Sequence, residues 1–145
     1  MRLSAKTEYA ALALLELARH SSVDAPVRIR AICQAQGVPE RFLVHILLQL
    51  KAAGMVTSTR GAAGGYQLAR PPEDITLDEL HRAIEGAGDV VAPVTAELAA
   101  RSRAAAVLAN AWTEVAHAES ESLRGITLAD LVDRCRAPAE SMYYI

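Results

Sequence analysis

A chain of 145 residues with 52% hydrophobic and only 4% aromatic side chains has mass for one domain, or a small domain with an extension, but not for a large β-sandwich core. Its net charge of −2 hides an asymmetry: residues 1–71 hold nine Lys/Arg against four Asp/Glu, and residues 72–145 hold six against thirteen. A basic front half admits a polyanionic partner, and two widely separated cysteines do not make a disulfide framework.

The opening "MRLSAKTEYAALALLELARH" carries Lys6, Glu8 and Glu16 and lacks a small-residue cleavage site, so it reads as a folded helix and not as a signal peptide. Ser4 is its expected N-cap, with Ala10, Ala13, Leu14, Leu17 and Ala18 at helical spacing. No stretch approaches the roughly 20 uncharged apolar residues of a membrane span, and a cytoplasmic protein is expected. "VRIRAICQAQ" predicts a short second helix closed by Gly37. Pro39 suits a first helical residue, and "PERFLVHILLQLKAAG" predicts a third helix ending at Gly54.

"MVTSTRGAAGGYQLA" predicts a β-hairpin over about 55–69, with strand-favouring Val56, Thr57 and Thr59 before a glycine-rich turn. "ITLDEL" then predicts a helix start with a capping box from Thr76 to Glu79 and a staple between Ile75 and Leu80. "ITLADL" repeats the device at Thr127 and Asp130, as a second, independent start. Between them, from about Pro93 to Leu123, Val94, Leu98, Ala105, Leu108, Trp112 and Val115 recur every three or four residues. One helix of that length would span roughly 45 Å at 1.5 Å per residue. Its seam is expected to pair with a second copy of the chain. The expected fold is mainly α with a small β-hairpin: a winged helix-turn-helix followed by a long dimerisation helix.

The third helix divides into two stripes at 100° per residue. Leu43, Ile46, Leu47 and Leu50 form a core face, and Arg41, Val44, His45 and Leu48 face the other way. Arg can grip guanine O6 and N7, and Val can lie against a thymine methyl, as a major-groove surface requires. A plain surface helix with stray aliphatics is the blander alternative. In "RGAAGGY", Arg60 stands at the hairpin's shoulder, and an inserted Arg suits a narrow minor groove. Gly61, Gly64 and Gly65 let backbone approach a phosphate closely. The loop lacks the lysine and the following helix of a nucleotide-binding P-loop.

The stretches "MRLSAKTEYA", "RFLVHILLQLKAAGMV" and "STRGAAGGYQLARPPEDITLDEL", with the long helix, resemble the Rrf-two family of bacterial winged-helix regulators over about residues 1–136. The arginine-glycine-glycine-tyrosine wing is the most specific part. The resemblance implies a homodimer on a near-palindromic double-stranded DNA operator, with Arg41, Val44 and His45 toward bases and Arg60 in the minor groove. It sets Arg2, Ser4, Lys6, Tyr9 and Tyr66 near the backbone. A proline common after the wing's first glycine is Ala62 here, which predicts a looser turn. Val44 and His45 replace a polar pair, so no operator sequence carries over.

Cluster-binding members of that family use three closely spaced cysteines before the long helix, and residues 86–112 here contain none. Cys33 and Cys135 are a poor cradle for iron, so neither an iron–sulfur cluster nor another cofactor is expected. Glu8, at a position where some members supply a carboxylate ligand, reads as a helix-surface acid. Cys33 suits a buried thiol and Cys135, between Arg134 and Arg136, an oxidisable one, with a plain unreactive thiol the blander reading for both. His20, His45, His81 and His117 lack metal-site spacing, and nothing pairs a nucleophile with a base, so no enzyme is expected. Ser4, Ser58 and Ser102 are explicable as cap, strand and helix positions.

The final "ESMYYI" is too apolar for an ordinary loose tail. It either folds back on the dimer or docks Met142, Tyr143, Tyr144 and Ile145 into a partner. The cysteine-metabolism branch of the family, which also lacks the cysteine triad, suggests cysteine synthase as that partner. The expected organisation is a DNA-binding region over 1–72, an assembly region over 73–136 and a tail over 137–145. A redox- or ligand-responsive regulator, with thiols or a cavity near Trp112, stays open at this point, as does an adaptor that binds DNA weakly.

Overall fold

In α1 (Ala5–Arg19) the hydroxyl of Ser4 accepts the Thr7 backbone N–H at 3.1 Å, which supplies the expected N-cap. The helical spacing turns Ala10, Ala13, Leu14, Leu17 and Ala18 inward, and all five are buried. The computed structural model describes residues 3–86 and 96–137; Arg2, Val94 and the four tail residues Met142, Tyr143, Tyr144 and Ile145 lie outside the described residues.

α2 (Ile29–Gln36) ends at Gly37, whose φ of 68° places it in the left-handed region where glycine carries no Cβ penalty. α3 (Glu40–Ala52) follows after buried Val38. Pro39 is extended, with ψ of 131°, and so serves as the N-cap position and not as the first helical residue. Leu43, Ile46, Leu47 and Leu50 are buried against α1 and α2, as their spacing predicts. Each such side chain contributes about 1.5–3 kcal/mol when removed from water.

β1 (Val56–Thr59) and β2 (Gly65–Leu68) form the expected antiparallel hairpin, with Val56 opposite Leu68 and Thr59 opposite Gly65. A third strand position joins it. Val27 and Tyr66 exchange backbone hydrogen bonds of 2.8 Å in both directions. That pairing explains why α2 starts at Ile29 and not at Val27: the Val27 backbone is committed to the sheet.

A 3-10 turn (Pro72–Asp74) leads into α4 (Leu77–Glu85). Thr76 caps it by accepting the Glu79 N–H at 3.2 Å. The reciprocal half of the expected box is not formed, because the Glu79 carboxylate takes the Arg70 guanidinium in a two-pronged pair of 2.9 and 3.2 Å. A charge-assisted fork outcompetes a single bond to a backbone N–H.

The long helix is shorter than its periodicity implies. A short α5 (Ala96–Ala99) is separated by a break from α6 (Arg103–Arg124), whose 22 residues span about 33 Å. Ser102 makes the break. It is extended, with φ of −162°, and its hydroxyl accepts the Ala105 N–H at 3.0 Å, so it is an N-cap and not a helix position. Leu98 therefore sits on a different helix from Leu108.

α7 (Leu128–Arg136) opens with a complete capping box between Thr127 and Asp130. Those bonds hold the Asp130 carboxyl below its ordinary range. The two helix starts are not independent. Thr76 and Thr127 form an antiparallel bridge, flanked by Leu77 N–H to Ile126 O at 3.0 Å and Leu128 N–H to Ile75 O at 2.9 Å. Cap residues are extended, and the N–H groups that follow them lack helical partners, so each start satisfies the other.

α6 meets the body at buried Asp78 of α4. Its carboxylate takes Arg82 at 3.1 Å, Arg124 at 3.4 Å and the Ser120 hydroxyl at 3.2 Å. No helix among the described residues is long and apolar enough to cross a membrane.

Candidate nucleic-acid interface

The outward stripe of α3 is bare. Arg41 and His45 are exposed, Val44 is 40% and Leu48 56% exposed, while Leu43, Ile46 and Leu47 between them form the core. The Arg41 guanidinium lies over the Phe42 ring, 4.8 Å from its centroid, and Phe42 stacks on Tyr9 at 6.1 Å. This aromatic shelf joins the N-terminal part of α1 to α3 and leaves Lys6 exposed beside it. Phe42 escaped the sequence reading, though it is the only phenylalanine in the chain and adjoins Arg41.

Ser4 has a second task. Its hydroxyl donates to Glu85, and its backbone N–H reaches the same carboxylate at 3.3 Å. Together with the Thr7 hydroxyl these bonds hold the Glu85 carboxyl below its ordinary range. The hydroxyl expected near a DNA backbone thus clamps the start of α1 to the end of α4.

In the wing, the Gly64 N–H closes onto the Gly61 carbonyl at 3.0 Å, so the turn is hydrogen-bonded with Ala62 in the family's proline position. Gly61 has φ of 104° and open space around it. Gly64 is needed for room: a Cβ there would meet the Thr59 carbonyl oxygen at 2.1 Å. At Gly65 it would meet the Val27 carbonyl oxygen at 2.5 Å. The glycines at 64 and 65 therefore answer first to the wing's own backbone and not to a phosphate. Arg60 is exposed at the shoulder, and Tyr66 is half-buried against the core. Lys51 donates to the Ser58 hydroxyl at 2.7 Å, which ties the end of α3 to β1.

α6 contains no buried residue. Leu108, Trp112 and Val115 are 54%, 46% and 51% exposed, Ala105 is half-buried, and Leu98 on α5 is exposed.

Among the described residues no group of three or more His, Cys, Asp and Glu is placed to hold a metal ion. Burial and the nearby Glu40 charge push the half-buried Cys33 thiol up, away from thiolate character, whereas Cys135 is exposed. Glu8 is exposed on α1.

A family model described as "Rrf2: Iron-dependent Transcriptional regulator" matches residues 3–134. The chain is 38% identical to protein rrf2 of Nitratidesulfovibrio vulgaris over 135 residues, covering 91% of this chain and 87% of that one. It is 31% identical to the HTH-type transcriptional regulator CymR of Bacillus subtilis, across 100% of both. The solved structure of CymR, the global cysteine regulator of B. subtilis, matches with a TM-score of 0.77 over 92% of this chain and 98% of that one. That of T. potens IscR matches with a TM-score of 0.75 at 33% identity, over 99% and 97%. The winged-helix arrangement and the match along nearly the whole chain agree: the chain belongs to the Rrf2 family of transcriptional regulators.

Proposed function

We propose that this regulator is a repressor that binds duplex DNA as a homodimer, with α3 across the major groove and the wing in the adjoining minor groove. One observation carries the reading. α3 turns an unused stripe of cation, imidazole and aliphatic side chains outward while its other face builds the core, and the wing with exposed Arg60 is tied to the same helix. Arg41, Val44 and His45 then face bases, Lys6 and Tyr9 lie near the backbone, and Leu98, Ala105, Leu108, Trp112 and Val115 serve assembly. Residues 1–72 hold the DNA and residues 73–136 hold the partner copy.

Affinity for duplex should fall steeply with salt as phosphate contacts release counterions. Arg60→Ala should weaken A·T-rich sites most, because their minor groove is narrow. His45→Ala or Arg41→Ala should shift base preference by about 1–3 kcal/mol per lost pair. Fluorescence anisotropy on a panel of duplexes reads all three. Equal affinity of wild type and Arg60→Ala for every duplex would defeat the groove assignment.

The regulated theme we propose is cysteine and sulfur supply, supported by the full-length likeness to CymR. In this reading residues 142–145 dock into cysteine synthase as an extended apolar segment. Deleting Ile145 should abolish calorimetric binding to cysteine synthase from the same organism and leave DNA affinity nearly intact. Identical titrations, or no heat from either chain, would sink this assignment.

A further inference from the structure

An open cleft of about 470 Å³ runs beside the wing, between the start of α2, the end of α3 and the turn at Gly61–Gly65. Four cations line it, Arg28, Arg30, Lys51 and Arg60, and no acidic side chain does. The arginines that hold the fold together are all paired: Arg70 with Glu79, Arg82 and Arg124 with Asp78, and Arg19 with Glu16. Arg28, Arg30 and Arg60 make no ion pair with any described residue, and all three are exposed. Lys51 is steered toward the cleft by its bond to Ser58.

Like charges brought together at one surface repel one another, and no described acid in the cleft relieves them. A polyanion does. We infer that this cleft is a second DNA contact, a grip on the phosphodiester backbone flanking the groove the wing enters, with Arg28 and Arg30 as its principal phosphate ligands. The inference rests on the proposed DNA-binding function and adds residues to it. Guanidinium forks match phosphate oxygens in pairs, which suits arginine over lysine here.

Contacts of this kind position the protein and carry no sequence information. The decisive measurement is the dependence of affinity on salt, by anisotropy, for wild type, Arg28→Ala, Arg30→Ala and the double variant on a panel of duplexes. Each single variant should lower the slope of log K against log salt by about 0.9, and the double variant by about twice that. The ranking of duplexes should stay the same, and Arg28→Lys should recover most of the slope. Both positions are exposed, so the variants should melt as wild type does. An unchanged slope in the double variant, with wild type still binding steeply, overturns the cleft alone. A reordered panel also overturns it, since the arginines would then be reading bases. A wild type that ignores every duplex defeats the DNA-binding reading itself.

Discussion

Leu108→Glu is expected to convert the proposed dimer to a monomer. α6 runs for 22 residues and buries none of them, while Leu108, Trp112 and Val115 stand at i, i+4 and i+7 on one exposed stripe. Buried in a two-fold interface, each of these side chains would contribute about 1.5–3 kcal/mol per protomer, counted twice by symmetry. A carboxylate in the same place loses that burial and costs several kcal/mol more if desolvated without a partner. A loss of about 4 kcal/mol already weakens association roughly a thousandfold. Sedimentation should show monomers at micromolar concentration, and duplex affinity should fall with them, because paired half-sites are read by a dimer. Asn110→Glu, on the opposite side of α6, should stay dimeric. A fully dimeric Leu108→Glu protein would mean that the seam lies elsewhere.

Gly64→Ala should damage the wing although it adds a single methyl group. The obstacle is space: the new Cβ would sit 2.1 Å from the Thr59 carbonyl oxygen and 2.9 Å from the Arg60 carbonyl carbon. Both are backbone atoms, so no side chain can turn away, and the turn must open. Overpacking typically costs about 1–3 kcal/mol. Here it also displaces Arg60 and the strand that pairs with Val27. Duplex affinity should fall about tenfold to a hundredfold, and thermal melting should drop by a few degrees. Gly61→Ala, where φ is 104° but no atom lies within 4 Å, should bring strain without a clash and a smaller loss. Wild-type affinity and melting for Gly64→Ala would refute the account.

What the sequence discloses is what is local. Ser4, Gly37 and Thr127 announce their caps, and the spacing of Leu43, Ile46, Leu47 and Leu50 identifies the inner face of α3. What it conceals depends on distant partners. Alanine-rich periodicity runs straight through residues 100–102, and only the cap formed by Ser102 reveals the break. The Glu79 carboxylate had a local partner in view, but Arg70 takes it. The pairings of Val27 with Tyr66 and of Thr76 with Thr127 join segments far apart in the chain and leave no periodic trace. The outward stripe of α3 and the shoulder arginine were legible as candidates. The cleft was not, because its cations come from three elements and form one surface only after folding.

The junction at Asp78 makes α6 a lever. Its far end lies roughly 30 Å from the polar cluster that anchors it, so a tilt of about 6.5° there displaces the tip by roughly one base-pair rise of 3.4 Å. Ion pairs and a hydroxyl, unlike interlocked aliphatic side chains, can re-form across such a tilt with little loss. Two bodies joined through their α6 rods would therefore be gauged by the number of base pairs between half-sites. A variant that loosens the fulcrum, such as Asp78→Asn, would tolerate operators one base pair longer or shorter without reading any base differently.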